Sequence, residues 1–127
     1  MISKYVILDG ITFYVPVISV KRTGDFFDKY AKRTEDGDLQ RKLIGVYFNY
    51  TLKFGITTDH NEYARLWEKL SEPVEFHTVI VPDETGNYQF ISYFSSLGDE
   101  LLRIYNERSY WQNLTVKFTA KSPARKP

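Results

Sequence analysis

The chain of 127 residues is the size of one domain, carries a formal net charge of +1 and has no cysteine. Balanced charge excludes a global pull toward nucleic acid or an anionic membrane, and the missing thiols exclude disulfides, cysteine zinc sites and thiol nucleophiles. Aromatic residues make up 17% of the sequence, with ten Tyr and nine Phe. That composition suits a β-sandwich, a β-surface that binds something, or a subunit that packs against copies of itself.

The opening apolar run is too short for a signal peptide, and no stretch approaches the ~20 apolar residues of a membrane span. Lys4–Leu8 and Ile11–Val15 flank Asp9-Gly10, the favoured two-residue hairpin turn. Ile18–Arg22 reads as a further strand. Thr23–Lys42 is then polar and dense in charge, and reads as a long loop.

From Ile44 to Ile56 every even position is apolar or aromatic: Ile44, Val46, Phe48, Tyr50, Leu52, Phe54 and Ile56. A side-chain period of 2 with one apolar face predicts a long strand over 44–56, with Gly45 and Gly55 marking bends or bulges. A helix is expected next, over about 60–71. Asp59 is the N-cap and Glu62 stands in capping-box position. Tyr63, Leu66, Trp67 and Leu70 form one apolar stripe, and Pro73 ends the helix.

Val74–Val81, the turn Pro82–Asn87 and Tyr88–Phe94 predict a hairpin. Leu101–Arg108 reads as a strand or a short helix, with strand the better fit. In Trp111–Ala120, Leu114, Val116, Phe118 and Ala120 point inward, and Asn113, Thr115, Lys117 and Thr119 outward. Residues 121–127 read as a mobile basic tail. The expected architecture is mainly β (α+β): an antiparallel β-sandwich or barrel-like domain of about seven strands over residues 1–120, with one flanking helix.

Chemistry-bearing patterns are sparse. His60 and His77 lack the further ligands at suitable spacing that a metal site needs, and read as structural or surface residues. There is no Gly-x-Ser-x-Gly elbow and no glycine-rich phosphate loop. Asp36-Gly37-Asp38 lacks the ligand ladder of a calcium loop, and Asp83-Glu84 and Asp99-Glu100 fall in turns. No catalytic, cofactor-binding or metal residue is assigned, and the expectation is a protein that is not an enzyme.

The aromatic residues are the better candidates. Tyr47 lies on the polar face of the long strand, and Tyr88 and Tyr93 cannot both face inward on a regular strand. Phe26, Phe27 and Tyr30 stand in the charged segment 24–30, where they either fold back on their own core as a short helix or form an arm that docks on a neighbour. With the outward-facing Asn49 and Thr51, the candidate subunit contacts are Phe26, Phe27, Tyr30, Tyr47, Asn49 and Thr51. The alternative function is a module that binds carbohydrate or single-stranded nucleic acid by stacking on Tyr47, Tyr88, Tyr93 or Trp111.

Several of these stretches, in order, carry a resemblance. They are Lys21-Arg22-Thr23-Gly24, the charged segment with Asp36-Gly37 and Arg41, the strand Tyr47–Phe54, the helix Glu62–Leu70, and Trp111-Gln112-Asn113-Leu114-Thr115-Val116-Lys117-Phe118. Across roughly residues 20–120 the chain resembles small structural proteins of tailed-phage and prophage gene clusters, tail-associated in character. The resemblance implies a sandwich or tail-tube-like barrel that assembles with its own copies or with other phage structural proteins. It implies a place in the virion tail, reached from the host cytoplasm. From charge, hydropathy and the missing motifs, no cofactor, membrane or specific nucleic-acid partner is expected.

Overall fold

The computed structural model describes residues 5–57, 59–84 and 86–127. Seven strands and one helix follow in chain order: β1 (Val6–Leu8), β2 (Ile11–Phe13), β3 (Val17–Arg33), β4 (Leu39–Phe54), α1 (His60–Leu70), β5 (His77–Asp83), β6 (Gly86–Tyr105) and β7 (Arg108–Ala120). All seven strands pair antiparallel in one sheet of order β2-β1-β5-β6-β7-β4-β3. The protein is therefore mainly β with a single flanking helix, as its alternation and aromatic content imply.

The sheet curls on itself. In a flat sheet three to four strand spacings would hold β3 about 14–19 Å from the β5–β6 turn, yet Arg22 of β3 reaches Glu84 of that turn at 2.5 Å. Rings from β4 and β6 also meet across β7, Tyr50 lying 5.9 Å from Tyr88 and 5.4 Å from Phe90 between centroids. The result is an open, barrel-like sheet whose inner face carries one core. That core joins Val6, Leu8 and Phe13 of the first hairpin to Tyr50, Leu52 and Phe54, to Val79 and Val81, and to Leu114, Val116 and Phe118.

Helix α1 closes the core with Leu66 and Leu70. The Asp59 carboxylate accepts from the Glu62 amide at 3.1 Å, which makes it the N-cap. Glu62 does not reach back to complete the box; its carboxylate pairs with Arg65 at 2.7 Å, whose guanidinium covers the Phe13 ring. The expected stripe divides in two. Leu66 and Leu70 are buried, whereas Tyr63 and Trp67 are half-buried at the margin.

The first hairpin turns at Asp9 and Gly10, both with positive φ (51° and 82°), as the sequence implies. Lys4, expected in its first strand, lies outside the described residues. The other strands differ in extent from expectation. β4 begins at Leu39 and stops at Phe54, so Ile56 is beyond it, and Ile44 is the extra residue of a bulge between the Phe27–Gly45 and Asp28–Leu43 pairs. Both are exposed (39% for Ile44, 50% for Ile56), and the fully buried part of that face is Tyr50, Leu52 and Phe54. β5 starts only at His77, leaving Val74 and Phe76 exposed.

The largest correction concerns the expected loop over 23–42. It is the outer part of a β3–β4 ribbon, paired from Val17–Phe54 to Arg33–Leu39. The turn between them is held by Thr34 N–H to Asp38 C=O (2.7 Å), Gly37 N–H to Thr34 C=O (2.9 Å) and Gly37 in the left-handed region. Phe26, Phe27 and Tyr30 accordingly lie on a strand and not on a short helix. The segment 101–108 resolves in the same way, as strand to Tyr105, a turn at Asn106-Glu107 with φ of 50° and 62°, and strand again from Arg108.

The tail also folds back. Val46 N–H donates to Arg125 C=O at 2.9 Å and Ala124 N–H to Val46 C=O at 2.9 Å, so residues 123–125 lie along the edge of β4. Gly45 makes this approach possible, because a Cβ there would stand 2.6 Å from Pro123 Cβ and 2.7 Å from Arg125 O.

Candidate functional site

Antiparallel pairing of β4 with β7 spans only Tyr50–Phe54 against Leu114–Phe118. The rest of each strand therefore runs past the sheet, the β3–β4 ribbon at one end and the β6–β7 ribbon at the other. Each runs on as a two-stranded ribbon, the β3–β4 one largely exposed on both faces and the β6–β7 one met on one face by α1, where the His60 and Tyr110 rings lie 4.9 Å apart. β3 is also the last strand of the sheet, with β4 its neighbour on one side and no strand of the described residues on the other. A 17-residue strand rises about 55 Å, so the open edge is long.

The candidate contact residues distribute over this ribbon. Phe26 is 64% exposed and lies across from Val46, on the face that continues the core, with Arg41 stacked on its ring at 5.5 Å. Arg41 also pairs with Asp28 at 2.6 Å. Phe27 lies on the opposite face, where its ring meets Tyr47 edge-on at 6.0 Å. Tyr30 is exposed, opposite Lys42. Asn49 is committed within the chain: its amide donates to Asp25 at 2.5 Å and accepts from the Ala120 amide at 2.8 Å, bridging β3 to β7 where the β4–β7 ladder stops. Thr51 is half-buried within the paired part of β4.

The four proposed stacking residues are not on one track. Tyr88 packs between Tyr50 and Phe90 against the core. Tyr93 and Tyr47 share a shallow hollow of about 280 Å³ with Phe27 and Asn49. Trp111 lies elsewhere, on the β6–β7 ribbon. There it faces a larger recess of about 570 Å³ between that ribbon and the exposed side of α1, opposite Trp67 and Tyr63. The Tyr63 hydroxyl donates to Asp99 at 2.6 Å, and burial together with this carboxylate pushes the phenol well above its usual range.

One titratable cluster lies apart from both ribbons. Asp9, Glu72 and His77 place ligand-type atoms within 4.8 Å of one another. A cation already stands among them: Lys69 Nζ is 3.1 Å from Asp9 and 3.5 Å from Glu72. His77 Nδ1–H donates to Asp9 at 2.7 Å while its ring stacks on Phe94 at 4.5 Å. Although burial alone would raise it, bonds from His77, the Thr78 amide and Lys69 hold the Asp9 carboxyl down at about 2. The cluster ties the first hairpin to α1 and β5, a structural use of these groups.

Of the described residues, no helix is long and apolar enough to cross a membrane. No protein-family model matches the sequence, and no curated protein matches it significantly.

Proposed function

We propose that this is a non-enzymatic structural protein that works by subunit–subunit contact, of the tail-associated kind found in tailed-phage and prophage virions. The observation that carries the assembly reading is the outer edge of β3. A long row of unpaired backbone donors and acceptors is a template for another strand, and monomeric proteins blunt such edges. Here the edge is long, and between its charged side chains and its register shifts stand exposed Ile18, Val20, Phe26, Phe27 and Tyr30. Apolar side chains beside open backbone groups give a neighbour both hydrogen bonds and area to bury. The virion setting, with assembly in the host cytoplasm, comes from the sequence resemblance.

Two-stranded ribbons are marginal alone, and contact with a neighbouring subunit would supply the packing they lack. Light scattering and electron microscopy across a concentration series test the proposal. Rings, tubes or defined oligomers are expected, and Phe27→Asp with Tyr30→Asp should abolish them while leaving the circular dichroism and melting of the subunit unchanged. A strict monomer that also binds no co-encoded virion protein overturns it.

A further inference from the structure

The recess between α1 and the β6–β7 ribbon has a composition that the assembly reading does not use. Its volume of about 570 Å³ is in the range of small-ligand sites. Three aromatic side chains line it, Trp67 and Tyr63 from the helix and Trp111 from the ribbon. Three carboxylates, Glu68, Asp99 and Glu107, stand on the same lining against one guanidinium, Arg108. Neither Glu68 nor Glu107 has an ion-pair partner among the described residues. His60, at the edge of the recess, has an Nε2 shielded from solvent with no hydrogen-bond partner.

Ring faces present the negative end of their quadrupole, so aromatic walls attract a cation, and most of all a weakly hydrated organic one. Carboxylates around the same space add a net negative field. An anion would meet three like charges. A neutral apolar ligand would desolvate carboxylates without replacing their water. We propose that this recess is a binding site for an alkylammonium group, either that of a small quaternary amine or that of a lysine side chain. The site is distinct from the β3 edge and does not depend on assembly.

Trp67 and Trp111 are the two tryptophans of the chain and both line the recess, so fluorescence excited selectively at tryptophan reports on it. The test is a titration of the full chain, at constant ionic strength, with choline, N-acetyl-lysine amide and 3,3-dimethylbutan-1-ol, the uncharged isostere of choline. A saturable change is expected with choline or the lysine amide, the stronger of the two naming the source. The uncharged isostere should bind about tenfold more weakly. Glu68→Gln should weaken the cation by about threefold and Arg108→Gln should strengthen it by a similar factor, both from screened charge–charge terms. Trp111 is 36% exposed, so Trp111→Ala should keep the parent circular dichroism, and the remaining Trp67 signal should show about tenfold weaker binding of the amine. Equal binding of the uncharged isostere, weaker binding on Arg108→Gln, or no saturable response to either amine overturns the proposal. A saturable response to a neutral sugar panel in place of the amines overturns it too. Binding that survives in the Phe27→Asp, Tyr30→Asp monomer separates its fate from that of the assembly reading.

Discussion

β4 is two strands in one. Over Tyr50–Phe54 it has β3 and β7 on either side, and its inward side chains are 0–1% exposed. Over Leu39–Ile44 it keeps β3 but loses β7 and the core, and Leu39 and Ile44 are 53% and 39% exposed. The backbone pairing is alike in the two halves; the burial is not. Hydrogen bonds make a ribbon regular, but their net gain over water is small, so the stability of the fold resides where the side chains are buried.

Substitution should show this contrast at its largest. Phe118 is fully buried and stacks on Phe94 at 4.8 Å. Phe118→Ala should cost about 3–5 kcal/mol in urea unfolding, as large-to-small changes in tight cores do. Phe26→Ala, on the same face of the neighbouring ribbon, should stay within about 0.5 kcal/mol for the monomer. Equal costs at the two sites would break the comparison, because the ribbon would then be part of the core.

Gly45 tests the boundary between the halves. A side chain there meets Pro123 and the Arg125 carbonyl, so Gly45→Val should push the tail off β4. The expected cost is about 1–2 kcal/mol, and the Val46 amide should lose its protection from hydrogen exchange. Retained protection would mean that the tail does not guard this edge. At the helix, Asp59→Ala should cost about 1 kcal/mol by freeing the Glu62 amide.

The helix was legible in the sequence and the ribbons were not, for physical reasons. Capping and the 3.6-residue stripe are local, so Asp59, Leu66, Leu70 and Pro73 declare themselves without knowledge of what α1 packs on. Strand recognition depends on alternation, and alternation arises only when one face is buried. Lys29, Lys32 and Arg33 lie on a ribbon wet on both sides, so their strand reads as a loop. Gly37 and Asn106, each at a positive φ, were the local signs of the two turns. The recess between α1 and β6–β7 was hidden for a different reason. Trp67 falls in the helix's apolar stripe and reads as core, and only the tertiary fold brings it to face Trp111.

The smallest expected effect is an acid-dependent one at the first hairpin. The Asp9 carboxyl lies at about 2 in the fold against an ordinary value of 3.8, because three donors favour its charged form against the opposing cost of burial. A carboxyl whose folded value is depressed binds fewer protons folded than unfolded, so its contribution is complete above the ordinary value. It is then lost as pH falls from about 4 toward 2. Asp9→Asn is the suitable comparison, since asparagine tolerates the positive φ that the turn requires. Between pH 2 and 5 the unfolding free energy of the parent protein, measured in urea, should rise more than that of the variant, by on the order of 1 kcal/mol or less because the site is partly solvated. Parallel profiles would show that Lys69 and His77 do not hold this carboxylate, and that the link from first hairpin to helix rests on apolar contacts alone.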